Sequence, residues 1–432
     1  MNKNLFESIK SEWLKKNSKK EFIPNQSDVP VSGKVIGFEE VEKMMEAAFD
    51  AWLTTGRFNK EFELEIAKKI GAKLAITVNS GSSANLVAFS TLRSPKLNNR
   101  QICKGDEVIT AAAGFPTTVN PIIQNGCIPV FVDIEMESYN FDLKKIENAI
   151  TKKTKAVMIA HSLGNPYNVK DLKKLCEKYN LWLVQDCCDA FGAEYDGKKL
   201  GYYGDIGTLS FYPAHHITTG EGGAVFFNEL KLKRIADSIR DWGRDCYCEP
   251  GKDNTCGKRF NWQLGDLPLG YDHKYTYSHL GYNLKITDMQ AACGLAQIKK
   301  LDYFVDRRRE NFDYLKKLMQ KYDKFFILPG ETQNSKASWF GFLLTLKDEV
   351  AFKRNDIVKF LNEKKIGTRL LFSGNIIKQP YFKNIKYKIS GELKNTDKIL
   401  ENSFWLGVYP GLNKVHFDYI DNCIKEFLLE FK

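Results

Sequence analysis

Ser210-Phe-Tyr-Pro-Ala-His215-His-Ile-Thr-Thr-Gly-Glu-Gly-Gly223 starts inside one apolar run, Ile206–Tyr212, and ends where another, Gly223–Asn228, begins. Runs of this length, rich in β-branched and aromatic residues, read as strands, and the proline and glycines between them read as a loop. Two adjacent histidines, His215 and His216, sit in that loop. Imidazole is the side chain that exchanges a proton near neutral pH, so a histidine loop at a strand end is a candidate for acid-base chemistry.

Working outward, Lys73–Asn79, Glu107–Ala113, Ile128–Ile134, Lys155–His161 and Leu181–Cys187 are further strand-like runs. Helical patterns such as Asp171–Tyr179 lie between them. Strands alternating with helices predict an α/β fold with a mostly parallel sheet covered on both faces. From about Asp302 the pattern changes to a helix through Lys316–Leu318, a strand at Ser338–Leu346, a helix at Asn355–Lys364 and a terminal helix at Asp418–Phe431. The organisation expected is a large domain over 56–301, a smaller α/β domain over 302–432, and an N-terminal segment, 1–55, packing with the smaller domain.

Two strand ends carry chemistry. Asn79-Ser-Gly-Ser-Ser-Ala-Asn85 follows one strand and opens a helix, which places backbone N–H groups and hydroxyls around an anion. Read alone it is an ordinary N-cap. Asp186 ends the run Leu181-Trp-Leu-Val184 at the carboxyl edge of the sheet, where ligands bind in open α/β folds.

Cysteine spacing is the second unusual feature, with Cys188, Cys246, Cys248 and Cys256 forming a C-x57-C-x1-C-x7-C series. Structural zinc sites draw on tight pairs with two to four residues between the cysteines, so the spacing favours an iron-sulfur cluster on four thiolates. Cys188 lies two residues after Asp186, next to the candidate site. The irregular stretch Glu249–Asp272 contains Cys256 and is expected to fold around the cluster. Cys103, Cys127, Cys176, Cys187, Cys293 and Cys423 read as core thiols.

The Ser210–Gly223 loop resembles the cofactor-lysine loop of the DegT/DnrJ/EryC1/StrS nucleotide-sugar aminotransferases, Ser-Phe-(aromatic)-Pro-Thr-Lys with a Gly-Glu/Asp-Gly-Gly tail, but has His215 in the lysine register. Together with the four cysteines it resembles, from about Gly56 onward, the iron-sulfur, pyridoxamine-phosphate-dependent sugar 3-dehydrases of that family. The resemblance implies a fold-type I architecture with a seven-stranded sheet, pyridoxamine or pyridoxal 5'-phosphate, and a [2Fe-2S] cluster on Cys188, Cys246, Cys248 and Cys256. It further implies His215 as the base, Gly81, Ser82 and Ser210 at the cofactor phosphate, Phe115 stacked on the pyridine ring and Asp186 facing its nitrogen. Phe115 by residue type alone is ordinary core.

Tyr277-Ser-His-Leu-Gly-Tyr-Asn283 resembles the segment whose asparagine crosses to the neighbouring subunit's phosphate, which implies a homodimer. Leu284 and Lys285 depart from the family's aromatic and arginine there. The implied reaction removes the carbon 3 hydroxyl of a nucleotide-linked, CDP by resemblance, 4-keto-6-deoxyhexose in 3,6-dideoxysugar biosynthesis for surface polysaccharide. Electrons would come from a flavin- and NADH-dependent iron-sulfur reductase. An aminotransferase lacking its lysine and a metal-binding sensor on an aminotransferase fold are the competing readings. His161, His273, His279 and His416 read as ordinary histidines.

Composition sets the outer limits. The chain has 432 residues, 43% hydrophobic and 13% aromatic, enough for two cores. Met1–Lys10 holds no apolar signal region and no run of about eighteen apolar residues follows, so a cytoplasmic location and no membrane partner are expected. The net charge of +11 is dispersed among acidic residues in stretches read as helical, Lys144–Lys155 and Asp171–Lys178, which suits solvated faces better than nucleic acid.

Overall fold

The computed structural model describes residues 3–18 and 21–431. Met1, Asn2, Lys19, Lys20 and Lys432, which the signal-region and domain readings include, lie outside the described residues. Its main sheet runs in the order Leu74–Val78, Gly223–Phe227, Ile206–Ser210, Trp182–Asp186, Thr154–Ala160, Glu107–Ala111, Ile128–Val132 and Lys388–Ile389. Gly223–Phe227 is antiparallel to both neighbours, and the other pairings are parallel. The seven strands other than Gly223–Phe227 therefore run in one direction and end on one edge of the sheet, where loops leaving them meet. The central strands are buried along nearly their whole length, which is why they read as continuous apolar runs.

All seven expected strands form, but the sheet has eight. The extra strand, Lys388–Ile389, comes from the C-terminal part of the chain and adds to the Ile128–Val132 edge. Two exposed residues leave no apolar run to read. The Lys144–Lys155 helix is shorter than expected: it spans Leu143–Asn148, and Thr154–Ala160 is already strand.

A second, antiparallel sheet joins Phe326–Ile327, Gly341–Leu346 and Ser403–Gly407. Its own core includes Phe312, Leu315, Phe342, Phe404, Phe417 and Ile424. The strand begins at Gly341 rather than Ser338 because Ser338 and Phe340 donate their N–H groups to Gly164 and Leu163 of the main-sheet side. The segment 1–55 divides its contacts. Phe22 lies against His416 and Tyr419 and Val29 bridges Ile366, whereas the helix Phe38–Asp50 packs on Asp288–Ile298.

Candidate active site

The converging strand ends enclose a cavity of about 750 Å³, whose lining includes Gly81, Ser82, Phe115, Asp186, Cys188, Ser210 and His215. At one end is the N-terminus of the helix Gly81–Thr91, capped by Ser80, whose Oγ accepts from the Ser83 N–H at 3.0 Å. Free N–H groups in this first turn and the positive end of the helix dipole favour an anion. Gly81 is required by space: a Cβ there would stand 2.5 Å from Ser210 Cβ. The Ser82 hydroxyl faces Thr117 at 3.2 Å and remains exposed to the cavity.

Asp186 sits at the end of Trp182–Asp186 and is 5% exposed. Its Oδ2 accepts from Asn85 Nδ2 at 2.8 Å and Thr118 Oγ1 at 2.7 Å, and its Oδ1 from the Cys188 N–H at 3.1 Å. Thr208 in turn donates to Asn85 Oδ1 at 2.7 Å. Three donors hold the carboxylate in one orientation at the cavity wall. Asn85 and Thr118 escaped the sequence reading. Their only signal is position, since both stand early in helices that start at strand ends.

His215 lies on the cavity wall, its Nδ1 3.5 Å from Asp189 Oδ1 and its ring 5.1 Å from that of Phe340. His216 faces away: it is buried, and its Nε2 meets the Ser338 carbonyl at 2.9 Å. Burial, then the nearby Arg308 cation, pushes the His215 imidazole down to about 4. The ordinary imidazole value therefore does not apply to it, and His215 is a neutral imidazole at physiological pH. Phe115 is half exposed on the cavity wall, edge-on to Phe372, and so is not core.

Asn283 is not brought to this cavity within one chain. Its Oδ1 accepts from Lys285 Nζ at 2.9 Å, and its backbone bridges Asp241. Lys285 itself lies over the Trp242 ring at 3.6 Å.

The four cysteines are split. Cys246, Cys248 and Cys256 line one small cleft with Asp253, Arg259 and His273, while Cys188 lines the main cavity. Burial pushes up the thiols of Cys188 and Cys246. Burial also acts on Cys248, but bonds from Thr255, whose hydroxyl lies 3.0 Å from the sulfur, bring it below the ordinary thiol value. Among the described residues no three His, Cys, Asp or Glu side chains are arranged to hold a metal ion. The cluster expected on four cysteines is thus not seen as a set among the described residues: three of its expected ligands line the small cleft and Cys188 lines the main cavity. Of the remaining cysteines, Cys103 is exposed and so is not a core thiol, whereas Cys127, Cys176, Cys187, Cys293 and Cys423 are buried.

Residues 35–425 match the model of the DegT/DnrJ/EryC1/StrS aminotransferase family. The chain belongs to that family. Among relatives, it is 60% identical over 410 residues to the lipopolysaccharide biosynthesis protein RfbH of Salmonella typhimurium, covering 95% of this chain and 94% of that protein. It is 48% identical over 407 residues to the dTDP-4-dehydro-2,6-dideoxy-D-glucose 3-dehydratase of Saccharopolyspora spinosa, covering 94% and 88%. Among solved structures, the Escherichia coli GDP-4-keto-6-deoxy-D-mannose-3-dehydratase with bound hydrated PLP matches with a TM-score of 0.82 at 29% identity, covering 92% of this chain and 99% of that one. The fold is accordingly that of fold-type I, aminotransferase-like proteins. Within an aminotransferase family, the telling feature of this cavity is that no lysine is among its lining residues.

Proposed function

We propose that the chain is a pyridoxamine-phosphate-dependent dehydratase that removes the carbon 3 hydroxyl of a nucleotide-linked 4-keto-6-deoxyhexose. The observation that carries this reading is His215 on the cavity wall of a family whose name is aminotransferase, with no lysine lining that cavity. With no lysine among the described residues lining the cavity, the cofactor is held there without a covalent bond to the protein. The cavity suits a planar phosphorylated ring: an anion site at Ser80–Ser82 with Ser210 beside it, an aromatic face at Phe115 and a fixed carboxylate at Asp186.

When bound, the cofactor supplies an amine to condense with the 4-keto group and a ring that accepts electrons. The protein's part is placement and proton movement. Gly81, Ser82 and Ser210 hold the phosphate, and Asp186 keeps the pyridine nitrogen protonated. Phe115 fixes the ring plane. His215 takes a proton from the C4′ carbon and, as imidazolium, stands ready to assist departure of the hydroxyl.

Several finer statements belong to the same proposal. CDP is the nucleotide, as the resemblance implies, and the product enters surface polysaccharide, a role that the 60% identity to a lipopolysaccharide biosynthesis protein supports. A homodimer brings Asn283 to the neighbouring cavity, and reduction is supplied by a flavin- and NADH-dependent reductase through a [2Fe-2S] cluster. Three thiols in one cleft support the cluster, with Cys188 as the fourth ligand from outside that cleft. The experiment is exchange of labelled solvent oxygen into carbon 3 of CDP-, GDP- and dTDP-4-keto-6-deoxyhexoses, with pyridoxamine phosphate and no reductase. Exchange greatest with the CDP sugar supports the reading. Amino-group transfer without exchange contradicts it.

A further inference from the structure

Arg307-Arg308-Arg309 lies on the helix Leu301–Met319 and looks like a solvated basic run. Its outer members behave so, Arg307 pairing with Glu310 and Arg309 with Asp306. Arg308 instead falls on the buried stripe of Leu301, Phe304, Val305, Phe312 and Leu315, at helical spacing, and is 1% exposed. It forms no ion pair among the described residues. Its Nη1 donates to the carbonyls of Trp339 and Phe340 at 3.1 and 3.4 Å, and its Nη2 to those of Ala214 and His215 at 3.4 and 3.2 Å.

Asp189 is the nearby carboxylate that acts on this cation, but it makes no ion-pair contact with it, so a buried guanidinium is a costly way to fill a core position and its gain has to come from placement. The placement is specific. One end of the fork holds the backbone of His215, and the other holds Phe340, whose ring stands against the His215 imidazole. His216 adds a further tie from the same loop to Ser338. The histidine loop is thereby fastened to the segment 338–340 at successive carbonyls.

We propose that Arg308 is a positioning residue, whose guanidinium locks the Ala214–His215 backbone onto Trp339–Phe340 and sets where the His215 imidazole stands in the cavity. This rests on the reading of His215 as the proton-transferring group. A proton-transfer group must be within hydrogen-bond reach of its target, and a displacement of about 1 Å can cost about a hundredfold.

The test uses Arg308→Lys, which keeps the charge but not the fork, and Arg308→Gln, a smaller neutral donor, should the lysine variant not fold. In enzyme saturated with pyridoxamine phosphate, carbon 3 oxygen exchange should lose roughly tenfold to a hundredfold in kcat, with KM within about threefold. A second readout needs no turnover. In a His215→Lys background, pyridoxal phosphate should form a borohydride-reducible bond to the lysine, and adding Arg308→Lys should slow that bond by roughly tenfold. Parental kcat and parental bond formation, well below the melting temperature, would overturn the proposal, as would a lowered kcat with bond formation unchanged. If the parent enzyme shows no oxygen exchange, the dehydratase reading fails, while bond formation still decides the role of Arg308.

Discussion

The histidine loop and the cysteine loop carry the two unusual motifs of this chain, and the fold treats them differently. Ser210–Gly223 is suspended between two neighbouring strands of the main sheet, and Arg308 and Ser338 fasten its tip. Residues 246–256 have neither helix nor strand, and side-chain contacts rather than a sheet tie them down, through Lys60–Glu249, Lys274–Asp253 and the adjoining Asp245 with Lys96, His273 and Ser278. A single chain gathers every expected residue of the first site except Asn283, whereas of the four cysteines expected at the second it gathers three. Register in a sheet fixes side chains that are far apart in sequence, whereas an irregular loop fixes only its near neighbours.

The contrast can be broken at several points. Asp186→Asn should give a large effect, a loss of roughly a hundredfold to a thousandfold in carbon 3 oxygen exchange, comparable to removing a preorganised electrostatic group from an active site. Steady-state exchange with cofactor occupancy checked by absorbance measures it. A loss no larger than that of Cys248→Ser would erase the difference between the two regions. Asn85→Ala leaves Asp186 and Thr208 short of a buried partner and should cost about 1–3 kcal/mol of stability in urea unfolding.

Acid should act on the histidine region first. Burial holds His161 and His215 down to about 4, and His216 well below its ordinary value too, against about 6.5 for a free imidazole. Above about 6.5 the folded and unfolded chains both carry these rings neutral, and their contribution is constant. As pH falls from about 6.5 toward 4, the unfolded chain takes up protons that the folded chain refuses, so stability is lost by up to about 1.4 kcal/mol per pH unit for each ring. Urea midpoints measured down that range should fall, and His161→Gln should remove one proton's share of the slope. The smallest effect belongs to the cysteine loop. Cys248→Ser should change stability by no more than about 0.5 kcal/mol in metal-free protein, yet lower iron and acid-labile sulfide in anaerobically prepared protein. Full iron and sulfide in that variant, or zinc in place of iron in the parent, would refute the proposed ligands.

Legibility in the sequence followed the same physical division. The seven strands were readable because they are buried on both faces, and the strand-end motifs at Gly81, Asp186 and Ser210 were readable because sheet edges collect ligand groups. Lys388–Ile389 was not, being two exposed residues without a period. Asn85 and Thr118 are single polar residues whose importance lies in what they touch, and Arg308 was masked by its two solvated neighbours, although its place on the apolar stripe was a usable signal. The depressed His215 basicity depends on burial and on Arg308, neither of which spacing reveals. Cysteine spacing suggested a set of four, but spacing does not say which surfaces those residues occupy.

The central claim is that His215, and not its neighbour, moves the proton in dehydration. It is tested most directly by carbon 3 oxygen exchange, without reductase and at saturating pyridoxamine phosphate, in His215→Asn and His216→Asn side by side. The account predicts that His215→Asn keeps its fold and cofactor but loses exchange by roughly a hundredfold to ten-thousandfold, as for removal of a general base, and that His216→Asn retains most of it. Near-parental exchange in His215→Asn together with a dead His216→Asn would contradict it.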